Sequence, residues 1–214
     1  MALVAWYKLD GNALDSSGHN WNGTASNMSW GSGKIGQCGV FNGSSSRINI
    51  NLEYPKNWED PFSVSSWVYV PSSAVWSNNY FSNIVSRAYY TGSHGLAKST
   101  TNNRVSFYIR TDSSTYNAYG YIERDRWHHI SGVWDGKTGV LYIDGVAVSS
   151  ISPAISGVPV NYPWDIGGAR AFGGSTGSWF DGMIDDVRIY DHALSPKEIK
   201  ELAKAKILHY KFDD

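Results

Sequence analysis

Apolar and polar residues alternate along much of the chain, with the two-residue period of a strand that buries one face. The alternation is clearest in five stretches: residues 62–70, 104–110, 127–134, 140–143 and 180–190. Asp135-Gly136 and Asp144-Gly145 directly follow two of these stretches, and both residue types tolerate the positive φ of tight turns. The sequence therefore predicts an all-β protein, with a hairpin over residues 127–143 and a second tight turn after it.

One segment near the end of the chain predicts a helix. Ser195-Pro196-Lys197-Glu198 has the form of a capping box with proline at the first helical position. The residues that follow, 199–206, are good helix formers, and their lysines lie toward the negative end of the helix dipole. We therefore expect one short C-terminal helix.

Composition and charge exclude several classes of function. The 214 residues include 18 basic and 19 acidic side chains, which leave a net charge of −1. This balance predicts neither a nucleic-acid-binding surface nor a polybasic membrane patch. No apolar run approaches the roughly 18 residues of a membrane helix, and residues 1–7 lack the basic start of a signal peptide. The single cysteine, Cys38, excludes an internal disulfide framework, and we expect it to be a small buried hydrophobe.

We assign one domain to residues 1–206, because no change of composition divides the chain. Residues 207–214 resemble residues 4–11, with Tyr-Lys, an apolar residue and Asp in the same order. The similarity is either a coincidence in a short β pattern or the start of a following repeat or linker.

Short motifs in a fixed order extend the prediction from fold class to family. They are Trp6-Tyr7-Lys8-Leu9-Asp10-Gly11, Phe41-Asn42-Gly43-Ser44, residues 62–68, Trp127-His128-His129-Ile130 with residues 141–145, and residues 180–190. In this order and spacing the chain resembles laminin-G-like domains of the concanavalin A-like lectin/glucanase superfamily. The resemblance implies a two-sheet antiparallel jelly-roll sandwich in which the first and last strands pair.

Candidate catalytic residues are scarce. Hydrolases of this superfamily commonly carry Glu-x-Asp-x-Glu on one strand, because cleavage of a glycosidic bond needs two carboxylates. Here Glu123 and Asp125 begin that spacing, but Trp127 stands where the second glutamate would be. We expect Asp125 and Asp135 to be turn residues, and we predict that the protein is not an enzyme.

Two adjacent histidines do not provide a metal site. His128 and His129 are neighbours on a predicted strand, so their side chains point to opposite faces and cannot share one ion. We expect one of them to be buried and hydrogen-bonded and the other to face solvent.

Aromatic residues in predicted loops are candidates for carbohydrate binding. A sugar has hydroxyls that form hydrogen bonds and an apolar face that lies flat on aromatic rings. The candidates are Trp76, Tyr80, Tyr89, Tyr90, Tyr116, Tyr119 and Trp164, with Arg87 and Arg170 as hydrogen-bonding neighbours. Two alternatives are open: the same loops would suit a protein epitope, or the rings pack beneath the loops without binding a ligand.

The resemblance also implies a calcium site, because members of the superfamily often hold this ion and calcium prefers oxygen ligands. If the first and last strands pair, Asp15, Asp185 and Asp186 converge with loop carbonyls near Asn20. Such an ion would be structural, since it would clamp the chain ends rather than face a ligand. The alternative without metal is a turn-capping Asp15 and a salt-bridged Asp185.

The sequence therefore predicts a non-catalytic, lectin-like attachment module of a larger extracellular or virion protein. We expect it to bind a host glycan or polysaccharide as part of a phage tail or surface protein. One alternative is a carbohydrate-binding module appended to a secreted glycoside hydrolase, and another is a purely structural spacer domain. Neighbouring domains of the same chain are expected partners, and a homo-oligomer is left open.

Overall fold

The computed structural model describes residues 2–74, 81–87, 92–99, 102–111, 113–155, 163–168 and 178–204, and most of them form β-strands. The described strands are β1 (Leu3–Tyr7), β2 (Thr24–Ser26), β3 (Ser29–Ser32), β4 (Gln37–Asn42), β5 (Arg47–Ile50), β6 (Phe62–Tyr69), β7 (Phe81–Arg87), β8 (Ser93–Ser99), β9 (Arg104–Arg110), β10 (Thr115–Tyr121), β11 (Trp127–Trp134), β12 (Gly139–Ile143), β13 (Val146–Ile151), β14 (Trp164–Ile166) and β15 (Asp181–Tyr190). A short helix, α1 (Pro196–Leu202), follows the last of them.

The strands form two antiparallel sheets that pack face to face. In the eight-stranded sheet the order is β13-β12-β11-β6-β15-β4-β3, and β1 also pairs with β15. In the seven-stranded sheet the order is β10-β9-β8-β7-β14-β5-β2. Strands distant in sequence are neighbours in both sheets, as in a jelly-roll sandwich. The predicted fold is confirmed, and so is the pairing of the first and last strands.

The core lies between the sheets, where alternate residues of each strand point inward. Phe62 packs against two residues of the facing sheet, with ring centroids 5.9 Å from Phe107 and 6.4 Å from Trp164. The indole N–H of Trp164 donates a hydrogen bond to Tyr54 O at 2.8 Å. This bond satisfies the one polar atom of a fully buried side chain.

The elements predicted from alternation form where the sequence indicates them. The five stretches over residues 62–70, 104–110, 127–134, 140–143 and 180–190 correspond to β6, β9, β11, β12 and β15. Asp144 and Gly145 take φ values of 50° and 82° in the second tight turn. Helix α1 begins with the predicted capping box, in which the Ser195 hydroxyl accepts from Glu198 N and the Glu198 carboxylate accepts from Ser195 N.

The last strand changes partner half-way along one edge. Residues 181–184 of β15 pair with β4, and residues 187–190 pair with β1. One extra residue of β15 shifts its register with β6 between Asp185 and Arg188, and Asp186 there has a φ of 49°. Such a β-bulge changes which residues face the core. The strand therefore buries Ile184 before the bulge and Val187 and Ile189 after it.

Two segments predicted as loops are strands. Tyr116 and Tyr119 lie in the edge strand β10, and Trp164 begins the three-residue strand β14. The sequence of β10 is weak in apolar residues on either face, and β14 is short and directly follows Pro163. Both features are typical of loops in a sequence.

Both adjacent histidines of β11 are buried, which corrects the prediction that one faces solvent. His128 Nε2 accepts from Glu123 N at 3.2 Å, so its Nδ1–H donates to Asp144 Oδ2 at 2.7 Å. His129 lies on the opposite face, 2% exposed, with its ring centroid 5.3 Å from that of Trp67.

Three further predictions can be compared with the structure. None of the described helices is long and apolar enough to cross a membrane. Cys38 is buried as expected, and burial raises the pKa of its thiol to about 11. The predicted repeat or linker over residues 207–214 lies outside the described residues, and the boundary of the domain at residue 206 stays a prediction.

Candidate functional site

The outer face of the seven-stranded sheet carries a row of residues across five strands, four of them polar and one a glycine. Strand register places Tyr108 opposite Gly95, Gly95 opposite Ser86, Ser86 opposite Asp165, and Asp165 opposite Asn49. Tyr108, Ser86 and Asp165 are buried, with exposed fractions of 8%, 0% and 2%. Burial of several polar side chains on the face away from the core is informative. We call these five residues the polar row, and they form the centre of the candidate site.

Tyr108 reaches across a neighbouring strand. Its hydroxyl donates a hydrogen bond to Asn83 Oδ1 on β7 at 3.2 Å, although β8 lies between β9 and β7. Gly95, the residue of β8 opposite Tyr108, has no side chain in the path. Burial raises the pKa of Tyr108 to about 12, and the hydroxyls of Ser86 and Ser93 limit the rise. The Tyr108 hydroxyl therefore stays protonated at neutral pH.

Some polar atoms of this face have no hydrogen-bond partner among the described residues. They include Ser106 Oγ, on a residue that is 1% exposed, and Asn117 Oδ1. Elsewhere on the face Asn49 Nδ2 donates to Asp165 Oδ1 at 3.1 Å. A buried polar atom without a partner costs free energy, so this face is suited to a ligand that supplies hydrogen-bonding groups.

An aromatic edge borders the unpartnered atoms. Tyr119 of β10 lies opposite Ser106, and the Arg104 guanidinium carbon is 3.9 Å from the centroid of its ring. Tyr121, two residues further along the same face, is 70% exposed. These rings offer apolar area, and the guanidinium next to them offers hydrogen-bond donors.

The structure separates several of the residues predicted to bind sugar. Tyr116 and Tyr119 point to opposite faces of β10, since Tyr116 pairs with the inward-facing Ile109 and Tyr119 with Ser106. Trp164 is 0% exposed and belongs to the core. Its prediction as an exposed loop residue is corrected, because a ring enclosed between two sheets cannot serve as a platform.

Arg87 is also buried and lies opposite Trp164 in the ladder. Its guanidinium donates to Pro55 O, and burial lowers its pKa to about 10, so it stays charged at neutral pH. It is therefore not a side chain of the outer face. The other predicted binding residues, Trp76, Tyr80, Tyr89, Tyr90 and Arg170, lie outside the described residues.

The described part of this face does not pair carboxylates in the way that glycoside cleavage requires. Asp165 is its one acidic residue within the described ranges, and it accepts from Asn49. The turn roles predicted for two other aspartates are confirmed. Asp125 Oδ1 accepts from Ser72 N at 2.8 Å, and Asp135 Oδ1 accepts from two backbone N–H groups of the turn before β12.

Asp15 does not fit the predicted calcium site. Its Oδ1 accepts from Trp6 N and Ser17 N, each at 2.9 Å, and its Oδ2 accepts from Ser17 Oγ at 2.8 Å and Trp21 N at 3.0 Å. Partial burial would raise the pKa of Asp15, but these hydrogen bonds lower it. An ionised carboxylate has about four acceptor sites, so Asp15 has none left for a metal. It is the turn-capping residue of the alternative prediction.

The other predicted calcium ligands, Asp185, Asp186 and Asn20, do not form a metal site either. Asp186 forms an ion pair with Arg188, with 3.1 Å between Oδ2 and Nη2, and accepts from Trp6 Nε1 at 2.5 Å. Asp185 is fully buried, and this burial, with the nearby Asp186, raises its pKa to about 7. Asn20 is exposed. Within the described part of the chain, no group of three or more His, Cys, Asp or Glu side chains could hold a metal ion. The salt bridge predicted for Asp185 belongs to its neighbour instead.

The polar row was not among the predicted site residues. Its strands β7 and β8 place serine, histidine and lysine at buried positions, which hides the apolar alternation of a strand. The signal that could have found the face is in β9, where Arg104, Ser106 and Tyr108 alternate with buried apolar residues. These three side chains must point away from the core.

A family model described as the concanavalin A-like lectin/glucanases superfamily, of laminin G type, matches residues 41–200. No curated protein matches the chain.

Several solved structures have the same fold. Domain 4 of AbnA, a GH43 extracellular arabinanase from Geobacillus stearothermophilus, was solved in complex with arabinotriose; it is 24% identical, with a TM-score of 0.78 over 95% of this chain and 98% of that one. The binding domain of Paraclostridial Mosquitocidal Protein 1 is 18% identical, with a TM-score of 0.75 over 94% of this chain and 52% of that one. The binding domain of botulinum neurotoxin serotype G is 17% identical, with a TM-score of 0.71 over 94% of this chain and 50% of that one. The chain thus spans about half of each of these two binding domains.

Proposed function

This chain belongs to the concanavalin A-like lectin/glucanase superfamily, and from this premise we propose that it is a non-catalytic carbohydrate-binding module. The proposed site is the outer face of the seven-stranded sheet, from the polar row to Tyr119 on the edge strand. The observation that carries the proposal is the pair of buried, unpartnered oxygens, Ser106 Oγ and Asn117 Oδ1, beside an aromatic ring. Sugar hydroxyls donate to such oxygens, and the C–H face of the sugar packs on the ring.

The setting that we propose is a binding module of an extracellular protein. The likeness to a domain of an extracellular arabinanase, solved with arabinotriose, supports a module appended to a secreted glycoside hydrolase. The phage tail setting has no comparable support among the similar structures. The structural spacer and the protein epitope are outcomes of the experiment below.

The test is calorimetric titration of the folded protein with arabinotriose, and then with a panel of plant and bacterial polysaccharides. We expect saturable binding and a loss of about tenfold or more in Tyr119→Ala, because stacking on one ring contributes about 1–3 kcal/mol by analogy with the stacking of nucleic-acid bases on aromatic side chains. Leu14→Ala is the control, since Leu14 is a large apolar residue that is 56% exposed outside the sheets.

Three results would count against the proposal. Folded protein that binds no carbohydrate favours the spacer. Binding that is equal in wild type and Tyr119→Ala places the site elsewhere. Hydrolysis of any panel member, measured as the release of reducing ends, contradicts the non-catalytic assignment.

A further inference from the structure

Besides Ser65 Oγ, two buried polar atoms of facing side chains on the outer face of the eight-stranded sheet lack hydrogen-bond partners in the described structure. They are Trp67 Nε1 and Asp185 Oδ1. Trp67 is 4% exposed and Asp185 is 0% exposed. The two residues lie directly opposite each other on the adjacent strands β6 and β15. One atom is a donor and the other is an acceptor, on neighbouring side chains of the same face.

Both side chains are held in place by other contacts. Asp185 Oδ2 accepts a hydrogen bond from Ile35 N at 2.8 Å. Ile35 lies in a turn that is closed by a hydrogen bond of 2.9 Å from Gly33 N to Gly36 O. A Cβ atom on Gly33 would lie 2.7 Å from Asp185 Oδ2, so the turn approaches the carboxylate closely. On the other side, the Trp67 ring packs edge-on against His129. The unpartnered atoms are therefore fixed in position rather than free to find partners by rotation.

Two open concavities flank this pair. One has a volume of ≈ 460 Å³, and its lining includes Trp67, Tyr69, Trp127 and Lys34. The other has a volume of ≈ 470 Å³, and its lining includes Asp185, Trp6 and Ile35. Each is bounded by the turn before β4 and by the end of α1, at Ala203 in the first and Leu202 in the second. They are thus adjacent concavities on one face of the sheet, and we call the two together the groove.

Lys34 is the side chain that lies over the Trp67 ring. Its Nζ is 4.9 Å from the centroid of the Trp67 ring, and the residue is exposed. A cation–π contact at an exposed site is weak, and a lysine side chain has four carbons that rotate readily. Movement of Lys34 would uncover the face of the Trp67 ring without changing the sheet.

The chemistry of the two atoms selects the ligand. With Asp185 ionised, a hydroxyl group accepts from Trp67 Nε1–H and donates to Asp185 Oδ1 at the same time, whereas an ammonium group cannot accept and an ionised carboxylate cannot donate. Two basic residues, Lys34 and Arg126, and two acidic residues, Asp125 and Asp144, line the Trp67 concavity, so its charges balance. The ring centroids of Tyr69 and Trp127 are 5.7 Å apart in this concavity, and the two rings supply apolar area. These features favour a neutral ligand with hydroxyls and an apolar face.

We propose that this groove is a second carbohydrate site, in which one hydroxyl of a neutral oligosaccharide bridges Trp67 Nε1 and Asp185 Oδ1. The ligand class rests on the function proposed above, but the site uses the other sheet and none of the same residues. Because the two outer faces point in opposite directions, the module would hold two glycan chains at once.

The test follows the indole N–H signal of Trp67 by two-dimensional NMR on tryptophan-labelled protein, with arabinotriose and cellotriose as probes. Trp67→Phe assigns the signal by removing it. The titration uses the Tyr119→Ala variant at pH 8, so that the first site contributes little and Asp185 is mainly ionised. We expect a saturable shift of the Trp67 signal. We also expect Asp185→Asn to weaken this binding at least tenfold, because the amide must keep its oxygen on Ile35 N–H and so presents NH₂ in place of the acceptor. Asp135→Asn, which changes the same charge in a distant turn, should leave it unaltered.

The outcomes distinguish this proposal from the first. If wild type binds a probe, Tyr119→Ala weakens that binding and Trp67 does not respond, the second site is wrong and the first stands. If Trp67 responds and Tyr119→Ala has no effect on total binding, the second site stands and the first is wrong. If Trp67 exchanges only with water and no probe shifts any signal, both are wrong. An unfolded Asp185→Asn is recognised by its spectrum, and the Trp67 titration in the Tyr119→Ala background then decides alone.

Discussion

Tyr108 and Asn83 are joined across an intervening strand, by a hydrogen bond of 3.2 Å from the tyrosine hydroxyl to the amide oxygen. The bond connects β9 to β7 over the glycine of β8. It fixes the centre of the polar row, where Ser86 and Ser93 also approach the hydroxyl. The polar surface proposed to bind sugar is therefore organised before any ligand arrives, which lowers the cost of binding.

Tyr108→Phe tests this organisation. The ring is kept, but Asn83 Oδ1 loses its donor in a residue that is 4% exposed. We expect a loss of about 1–2 kcal/mol in the free energy of unfolding, because a buried acceptor is left without a partner. Binding of the best oligosaccharide from the panel should weaken about threefold to tenfold. Urea unfolding and calorimetry measure the two effects. Tyr142→Phe on the other sheet is the control, and an equal loss of affinity in both variants would contradict the role of Tyr108.

Asp15 is predicted to stabilise the first turn without a metal ion. Asp15→Ala leaves the N–H groups of Trp6 and Trp21 without their acceptor, so we expect a loss of about 2–4 kcal/mol in the free energy of unfolding. Since its acceptor sites are occupied, we expect the thermal midpoint of the wild type to be the same in calcium and in a chelator. A midpoint that falls in the chelator and is restored by calcium would revive the calcium site that the sequence predicts.

His94 is predicted to make the protein sensitive to acid. It is fully buried among Phe62, Trp58 and Trp164, and neither ring nitrogen has a partner among the described residues. Burial, and then the charge of Arg87, holds the pKa of His94 well below 6.5. Below pH 6.5 the unfolded chain therefore binds a proton that the folded protein does not, and stability falls with pH by about 1.4 kcal/mol per unit.

The comparison is between wild type and His94→Phe in urea at pH 7 and pH 5. We expect the drop in unfolding free energy over this range to be about 2 kcal/mol smaller in the variant. His129, whose pKa burial lowers to about 4, acts in the same direction in both proteins and cancels in the comparison.

Asp185 is predicted to act in the opposite direction. Its folded-state pKa of about 7, raised first by burial and then by Asp186, lies above the ordinary value of about 3.9. The stability that this group contributes is complete below about pH 4 and is lost as the pH rises to about 7. Asp185→Asn does not titrate, so the variant should gain roughly 2 kcal/mol relative to wild type between pH 5 and pH 8. A constant difference between the two proteins across this range would show that Asp185 titrates normally.

The sequence is sufficient for those elements whose burial follows a simple period. β9 and β11 are predicted at their observed bounds, because most of their inward residues are apolar and turn residues follow β11. The capping box of α1 is equally local, since Ser195 and Glu198 are three residues apart. Family resemblance adds the topology, which no local pattern contains.

The sequence is insufficient where polar residues are buried. Lys98, in β8, is 0% exposed and donates to Ser99 O and Asn102 O, so a residue typical of surfaces occupies an interior position. The polar row depends on register between strands that are far apart in the chain, such as Asp165 opposite Ser86. The spacing of residues in the sequence does not predict which residues of these strands lie opposite each other. Trp164 shows the converse, because a tryptophan after Pro163 is typical of an exposed loop and is in fact enclosed by the partner sheet.

The pairing of β1 with β15 also determines how the domain responds to mechanical load. Ala2 and Asp191 meet at the open end of this ladder, where Asp191 N donates to Ala2 O at 3.2 Å. Tension applied between these two residues pulls the ladder apart from that end, and its bonds break one after another instead of resisting together in shear. The first strand would therefore peel away at low force. The seven-stranded sheet is not on this path, so a module under drag could lengthen at its edge while its polar row keeps its shape.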